Sequence, residues 1–381
     1  VPLVVYNALG IARKDLVEAL LPAELEGEVQ VTAVDASGKA LPTQLTLGPD
    51  GRRRVLFLAN VPSLGFSVFG LRAGKAPSAG ELKVQGRTAE NDRYRVRLNE
   101  AGDLESVFDK QLQRELLSAP ARLAFQHEKP QRWPAWNMDW SDRQKAPRAF
   151  VSGPAAIRVS EAGPVRVALE VVRESEGSRF VQTIRLAAGA AGDRVEIANL
   201  VDWKTSEASL KATFPLAAGH PTATYNLDLG TIQRGNNDPR KYEVPTHGWM
   251  DLTDAQAGFG VTVLTGAKYG TDKPDDHTLR LTLLYTPGVG KDYREQRWQD
   301  WGRHSFTYGL AGHAADWQGA PWLALRQDQP LAAFAVTRHE ARLPALPAAF
   351  DGLRVLQLSD LHLDASEAFV HALAERVRGV E

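Results

Sequence analysis

Three tryptophans fall within one short segment of the 381-residue chain, Trp133–Trp140. An indole is a flat apolar plane that can stack on the C–H face of a sugar ring, and Asn137 and Asp139 between the indoles can bind hydroxyl groups. These residue types predict a saccharide-facing loop with Trp136 as a sugar contact. The same indoles could instead pin the loop into an interface between domains. Three further tryptophans leave the same choice open: Trp298, Trp301 and Trp317.

A second group of polar residues begins near position 234. Arg234, Asn236 and Asn237 lie close together, and Glu243 and His247 follow shortly after them. Guanidinium, amide, carboxylate and imidazole groups can together line a hydroxyl-rich site. Asn-Asn-Asp-Pro is also ordinary turn chemistry, so a turn without a ligand is the alternative.

A third group contains an aspartate and a histidine four residues apart, Asp300 and His304. A carboxylate that pairs with an imidazole can orient it for general acid–base catalysis. Aspartate–histidine pairs also simply satisfy buried polar groups, so both interpretations stand.

A possible metal-binding pair lies near the end of the sequence. The apolar run Leu353–Leu358 is followed by Asp360 and His362. Side chains at i and i+2 at the exit of a strand point the same way, as two ligands of one metal must. The alternative is an accidental pair at a strand end.

Composition excludes several classes of function. With 45 Lys+Arg against 46 Asp+Glu, the net charge of −1 gives no broad basic surface for a nucleic-acid partner. No apolar stretch approaches the roughly 18 residues of a membrane span. There are no cysteines, which excludes disulfides and thiolate metal sites and is compatible with a bacterial cytoplasm, although a periplasmic or secreted location stays open. The signatures of serine hydrolases, P-loop NTPases and zincins are absent, and 46 acidic residues single out no glycosidase carboxylate pair.

The elements that must position these residues are β-strands. Tyr94, Val96 and Leu98 alternate with arginines, a turn follows at 99–103, and 104–108 resumes the apolar pattern, which predicts a hairpin. The same pattern recurs at Val165–Arg173, Phe180–Leu186, Val195–Trp203, Gly260–Leu264 and Leu279–Tyr285. Many short strands with frequent turn signals predict an all-β protein built from sandwiches.

Two stretches of small residues and prolines divide the chain. We expect a small β-sandwich over 1–72, a linker over 73–81, a large β-sandwich over 82–343 and a βα stub over 344–381. Asp364 and Glu367 form a capping box for the helix of the stub. Because Val1 is not an initiator methionine, we also expect a piece of a longer protein.

From Val5 to about Arg342 the chain resembles the C-terminal β region of the α-mannosidases of glycoside hydrolase family 38. Trp133–Asp139 is similar to the family's W-D-A-W-D segment, with Pro134 and Asn137 in place of acids. Other segments follow in the family's order: Tyr6–Gly10 with Arg13, Glu90–Tyr94, Gly102, Phe108–Lys110 with Arg114 and Glu115, Val201–Trp203, Lys211, Phe214 and Pro215, Gly230–Arg234, Tyr242–Trp249, Leu279–Leu284 and Asp300–His304.

This resemblance implies a retaining exo-α-mannosidase whose zinc or other divalent metal, nucleophile and acid/base lie in an N-terminal barrel that precedes Val1. The chain would then hold no catalytic residue, bind no cofactor and be inactive alone. Its partners would be that barrel and α-mannosides or mannose-containing oligosaccharides. The residues carried over as substrate contacts are Arg234, Asn236, Asn237, Glu243, His247, Asp300 and His304.

The resemblance also gives alternatives. Large β-sandwiches of this kind resemble aldose mutarotases, which makes the large domain a mutarotase-like supersandwich and allows an epimerase using Glu243 and His304. A stand-alone carbohydrate-binding module would use the tryptophan loop. The tail resembles the opening strand of calcineurin-like metallophosphoesterases, in which Asp360 and His362 would be the first metal ligands, but the later motifs of that family do not follow.

Overall fold

The computed structural model describes residues 1–77, 81–227, 230–319 and 331–335. The all-β prediction is confirmed, because the described residues form β-strands joined by loops, short 3₁₀ turns and one four-residue helix. The predicted tail 344–381, with Asp360 and His362, lies outside the described residues, as do positions 78–80 of the predicted linker.

The N-terminal strands form two facing sheets. They are β1 (Pro2–Asn7), β2 (Arg13–Leu20), β3 (Val31–Val34), β4 (Ala40–Leu41), β5 (Thr43–Leu47), β6 (Arg53–Val61) and β7 (Gly65–Ala73). Strands β2, β6 and β5 make one sheet, and β1, β7, β3 and β4 belong to the other. Their inward side chains, such as Val5, Phe57 and Phe69, build one apolar core.

The following strands form an antiparallel meander. They are β8 (Lys83–Gln85), β9 (Thr88–Glu90), β10 (Tyr94–Leu98), β11 (Leu104–Asp109) and β12 (Arg114–Glu115), and they neighbour one another in chain order. Strands β10 and β11 pair antiparallel, which confirms the predicted hairpin. Tyr94, Val96 and Leu98 are buried while the two intervening arginines are exposed, as the alternation requires.

The remaining elements are those of the large sandwich and one final strand that joins the N-terminal sheet. They are β13 (Arg122–His127), α1 (Trp140–Arg143), β14 (Ala149–Phe150), β15 (Ala156–Ala162), β16 (Arg166–Ser175), β17 (Ser178–Ala187), β18 (Val195–Trp203), β19 (Ala208–Pro215), β20 (Thr222–Leu227), β21 (Gly230–Gly235), β22 (Val244–Pro245), β23 (Trp249–Asp254), β24 (Phe259–Leu264), β25 (Gly270–Asp272), β26 (Thr278–Thr286), β27 (Gly302–Ala314) and β28 (Ala332–Ala335). Short 3₁₀ turns occur at Ala23–Leu25, Gly189–Gly192, Lys291–Arg297 and Trp317–Gly319. The five strands predicted between 165 and 285 are confirmed to within two residues at each end.

Two sheets of the large sandwich enclose its core. A nine-stranded sheet has the order β15-β16-β17-β18-β27-β24-β23-β20-β21, and a six-stranded sheet has the order β14-β13-β19-β26-β25-β22. Their apolar faces and the meander β8–β12 share one large core, with Phe125, Phe180 and Trp203 among its aromatic members.

Strand β28 departs from the expected division of the chain. Position 332 falls inside the span assigned to the large sandwich, yet β28 pairs with β1 at the edge of the N-terminal sheet. Leu331 next to it joins the N-terminal core. The polypeptide therefore returns to its first sheet after completing the large sandwich, which local composition does not reveal.

The two sandwiches are joined through a polar contact. Arg166 on β16 pairs with Glu18 on β2 at 2.8 Å and with Glu161 on β15 at 2.6 Å. The backbone N–H groups of Val165 and Arg166 both donate to the side-chain oxygen of Gln44. Because Arg166 is almost completely buried, these bonds tie the N-terminal sandwich to the large one at a defined position.

Candidate functional site

The tryptophan loop is held in place by two tyrosines from other elements. Tyr285 on β26 donates a hydrogen bond to the backbone oxygen of Asn137 at 2.6 Å, with that of Pro134 at 2.9 Å as the alternative acceptor. Tyr242 donates to the backbone oxygen of Met138 at 2.6 Å. Burial raises the pKa of both tyrosine hydroxyls, so they remain protonated donors at neutral pH. The loop is therefore fixed through its backbone.

Side chains complete the loop. Asp139 accepts from the backbone N–H of Gln131 at 2.9 Å and from the Asn137 side chain at 3.1 Å. Trp133 has a φ of 47°, which bulky residues rarely adopt, and its carbonyl accepts the N–H groups of Trp136 and Asn137. These bonds fix the backbone that carries the indoles.

The tryptophans of the loop have different surroundings. Trp133 and Trp140 line a surface cleft of about 370 Å³ together with the side chains of five polar residues: Gln131, Arg132, Asn137, Asp139 and Ser141. Trp140 packs against the ring of Tyr242 at 5.4 Å between centroids. Trp136, the residue predicted to contact sugar, is not among the cleft residues and is 74% exposed.

Trp298, Trp301 and Trp317 also differ in their surroundings. Trp298 is 81% exposed and its ring lies near the Arg297 guanidinium, whereas the Trp301 indole N–H donates to the backbone oxygen of Thr205 at 3.1 Å. Trp317 stacks on the buried Trp249 at 5.1 Å. Trp317 thus packs against the sandwich, while Trp298 faces solvent.

A cluster of buried charges lies beside the loop on the six-stranded sheet. Lys211 on β19 is fully buried, and its ammonium group contacts Asp272 on β25 at 2.6 Å and also Glu243. Arg280 on β26 donates to both carboxylate oxygens of Asp272. Thr282 on the same strand donates to Glu243. Each carboxylate is thereby paired and hydrogen-bonded, which a buried charge requires.

The pKa directions follow from this arrangement. Burial alone would raise the pKa of Asp272, but Lys211 and Arg280 outweigh it and hold the pKa of this carboxyl below its usual range. Burial lowers the pKa of the Lys211 ammonium against the opposing pull of Asp272 and Glu243. Both oxygens of Glu243 are engaged by protein donors, so its carboxylate is not placed as the unpartnered base that an epimerase would need.

The predicted asparagines join this network. The side chain of Asn237 donates to Asp272 at 2.8 Å, and its oxygen accepts the backbone N–H of Lys273 at 3.0 Å. Asn236 bonds Asp276 at 2.6 Å and accepts from the Lys273 ammonium. The structure therefore brings Asn236, Asn237 and Glu243 into one hydrogen-bonded group around β25.

The remaining predicted residues lie around this group. Arg234 donates to the backbone oxygen of Pro245, and its guanidinium lies 5.1 Å from the centroid of the Tyr225 ring. The imidazole of His247 meets the Tyr269 ring edge-to-face at 5.9 Å. Arg234 lies on β21, the edge strand of the nine-stranded sheet, whereas His247 lies in the loop before β23.

The Asp300–His304 dyad does not form as expected. The closest carboxylate–imidazole contact is 3.9 Å, and the Asp300 side chain is 88% exposed. His304 instead contacts the backbone oxygen of Asp300 at 3.0 Å. The residues are four apart where the loop enters β27, so the turn brings the backbone carbonyl, and not the carboxylate, to the imidazole.

A closer aspartate–histidine pair was not predicted from the sequence. His313 on β27 contacts the buried carboxylate of Asp251 on β23 at 2.7 Å. Asp251 also accepts from the hydroxyls of Thr253 and Thr262, both at 2.6 Å. The two residues are 62 positions apart, so no local spacing signals the pair. Lys211, Tyr242 and Tyr285 were not predicted as site residues for the same reason, because their partners are distant in the sequence.

In the parts of the chain that the structure describes, no group of three or more His, Asp or Glu side chains is arranged to hold a metal ion. The described residues therefore do not fit the zinc site that the resemblance implies for the complete enzyme. Over the same residues, no helix has the length and apolar character needed to cross a membrane.

Comparison with known proteins gives one family match. Residues 89–291, more than half of the chain, match the family described as the glycosyl hydrolases family 38 C-terminal domain. The matched span contains the tryptophan loop and the buried charge cluster.

Sequence relatives agree with this match. The chain is 30% identical over 281 residues to the mouse protein alpha-mannosidase 2C1, covering 70% of this chain and 26% of that protein. It is 28% identical over 329 residues to the human alpha-mannosidase 2C1, covering 79% of this chain and 31% of that protein. The chain thus spans about a quarter to a third of the length of these relatives.

Two solved structures share the fold. A glycosyl hydrolase family 38 protein from Enterococcus faecalis superposes with a TM-score of 0.68 at 16% identity, covering 90% of this chain and 48% of that one. An alpha-mannosidase from Enterococcus faecalis V583 gives a TM-score of 0.68 at 17% identity, covering 90% and 46%.

Proposed function

Because the chain belongs to glycosyl hydrolase family 38 through its C-terminal domain, we propose that it is the C-terminal, cleft-shaping portion of a retaining, metal-dependent exo-α-mannosidase. The observation that carries the proposal is the family match over 89–291, which includes the rigid tryptophan loop and the buried charge cluster. The names of the mouse and human relatives support α-mannosides as the substrate class.

In this proposal the chain shapes the cleft and does not perform the chemical step. The nucleophile, the acid/base and the zinc ligands would lie in an N-terminal barrel, as the resemblance implies, and no metal step is assigned to the described residues. The polar residues around β25 would set the shape of the wall that faces the substrate cleft of the complete enzyme. The exposed side chains of Trp136 and Asp300 would be further substrate contacts in that cleft. We include a cytoplasmic location in the proposal, with which the absence of cysteine is compatible.

The experiment is a domain exchange. This chain replaces the matching C-terminal region of the Enterococcus faecalis α-mannosidase, and hydrolysis of p-nitrophenyl α-mannoside is measured for the chimera and for this chain alone, each with added Zn²⁺. We expect turnover only by the chimera, and none of the β-mannoside. Hydrolysis by the chain alone, or a folded chimera without activity, would contradict the proposal. A second chimera carrying Trp317→Phe is the control for a substitution outside the tryptophan loop, and it should keep the activity of the first chimera.

A further inference from the structure

The cleft between Trp133 and Trp140 has the make-up of a carbohydrate site. Its volume of about 370 Å³ falls within the range of small-molecule pockets. Two indoles supply apolar planes, and the polar residues of the lining supply donors and acceptors. Sugars present both kinds of surface, since their rings carry C–H faces with hydroxyl groups at the edges.

Polar groups in the cleft are available to a ligand. Among the residues that the structure describes, the side chains of Gln131, Arg132 and Ser141 have no protein hydrogen-bond or ion-pair partner. All three residues are exposed, so their polar groups can exchange water for the hydroxyls of a ligand. Asp139 and Asn137 are instead fixed to each other and to the loop backbone, so they hold the wall in shape.

The cleft is organised before any ligand arrives. Tyr242 and Tyr285 tie down the loop backbone, and the ring of Tyr242 supports Trp140. Trp133 is 49% exposed although its backbone is held in the left-handed region, a conformation that bulky residues adopt only where the surroundings impose it. A rigid site that keeps an indole exposed loses little conformational entropy when a flat ligand stacks on it.

We propose that this cleft binds a pyranoside ring on the chain itself, with Trp133 and Trp140 as the stacking surfaces and Gln131, Arg132 and Ser141 as hydroxyl contacts. The assignment of mannose as the sugar rests on the proposed function. The site differs from the prediction based on the sequence, because Trp136 lies outside the cleft lining.

The test is titration of the isolated chain with methyl α-mannoside, followed by intrinsic tryptophan fluorescence. For a ligand of this size we expect a dissociation constant on the order of 1 mM. Trp133→Ala should weaken binding at least about tenfold, since it removes a stacking surface. Trp298→Ala is the matched control, because Trp298 is also highly exposed but does not line the cleft. Far-UV circular dichroism and melting curves check that each variant folds.

Arg132→Ala is a second variant that can test the site if Trp133→Ala fails to fold. Arg132 is exposed and binds no other side chain in the described structure, so its replacement should not affect folding. Weakening by Trp133→Ala and Arg132→Ala but not by Trp298→Ala supports the site. No binding at 50-fold above the expected constant, or equal loss in Trp298→Ala, overturns it while leaving the domain-exchange result intact. Binding of glucosides and galactosides without mannosides would support a pyranoside site and count against the proposed mannoside substrate.

Discussion

The buried ammonium group of Lys211 offers a test of how the charge cluster is held. Replacing Lys211 with methionine keeps an unbranched side chain, one heavy atom shorter, but removes the cation that contacts Asp272 at 2.6 Å and Glu243. Asp272 retains Arg280 and Asn237, whereas Glu243 keeps only the Thr282 hydroxyl among the residues that the structure describes. The variant therefore leaves one carboxylate without a cation in a mostly buried place.

The size of the effect follows from burial. Two unit charges 4 Å apart interact with about 4 kcal/mol at an effective dielectric constant near 20. Removing one partner of a buried pair typically lowers stability by about 3–5 kcal/mol. We therefore expect Lys211→Met to lower the free energy of unfolding by about 3–5 kcal/mol, a large share of the roughly 5–15 kcal/mol typical of native proteins. Urea titration with circular dichroism and fluorescence in parallel measures the change and tests for a single transition.

An exposed ion pair supplies the control. Lys204 pairs with Asp202 at 3.1 Å, but its side chain is 64% exposed. Lys204→Met should change stability by no more than about 1 kcal/mol, because surface pairs are screened by water. The double variant Lys211→Met with Glu243→Gln should recover part of the loss, since it also removes the unpaired carboxylate. A loss below about 1 kcal/mol for Lys211→Met, or one equal to that of Lys204→Met, would refute the reasoning from burial.

Three other predictions concern acid stability, the tryptophan loop and the joint between the sandwiches. Because the pKa of Asp272 is held below the roughly 3.9 of an unfolded aspartate, its contribution is present above that pH and is lost as the pH falls toward the folded value. Asp272→Asn should therefore flatten the fall in urea midpoint between pH 5 and pH 3. Tyr285→Phe removes the hydrogen bond to Asn137 and should lower stability by about 1 kcal/mol and alter tryptophan emission. Arg166→Met breaks the buried link to Glu18, so calorimetry should show the N-terminal sandwich melting before the large one.

Each of these predictions has a clear contrary result. If the urea midpoint of Asp272→Asn falls with pH as steeply as that of the wild type, this carboxylate does not determine how stability depends on pH. Unchanged emission and midpoint in Tyr285→Phe would mean that the loop does not depend on the tyrosine hydroxyl. A single transition at the wild-type temperature in Arg166→Met would show that other contacts join the two sandwiches.

Local patterns in the sequence predicted much of the fold. The alternation of Tyr94, Val96 and Leu98 reports which side of a strand is buried, and this is a property of neighbouring residues only. The hairpin β10–β11 and the all-β class therefore followed without the structure. The position of a tryptophan-rich loop followed in the same way, since its residues are contiguous.

The site depended on contacts that no local pattern contains. Lys211 lies on β19, Asp272 on β25 and Glu243 just before β22, and the strand order of the six-stranded sheet places them together. The Asp300–His304 spacing suggested a dyad, yet the closer pair joins Asp251 and His313, which lie on separate strands of the nine-stranded sheet.

The sequence by itself determined the strand pattern, the absence of cysteine and the chemistry available in the tryptophan loop. Tertiary structure alone decided that Trp133 and Trp140 line a cleft while Trp136 lies outside it, and that β28 returns to pair with β1. The reason is physical: side-chain alternation is set by the two-residue period of a strand, whereas the neighbours of a strand are set by how the whole chain buries its apolar faces.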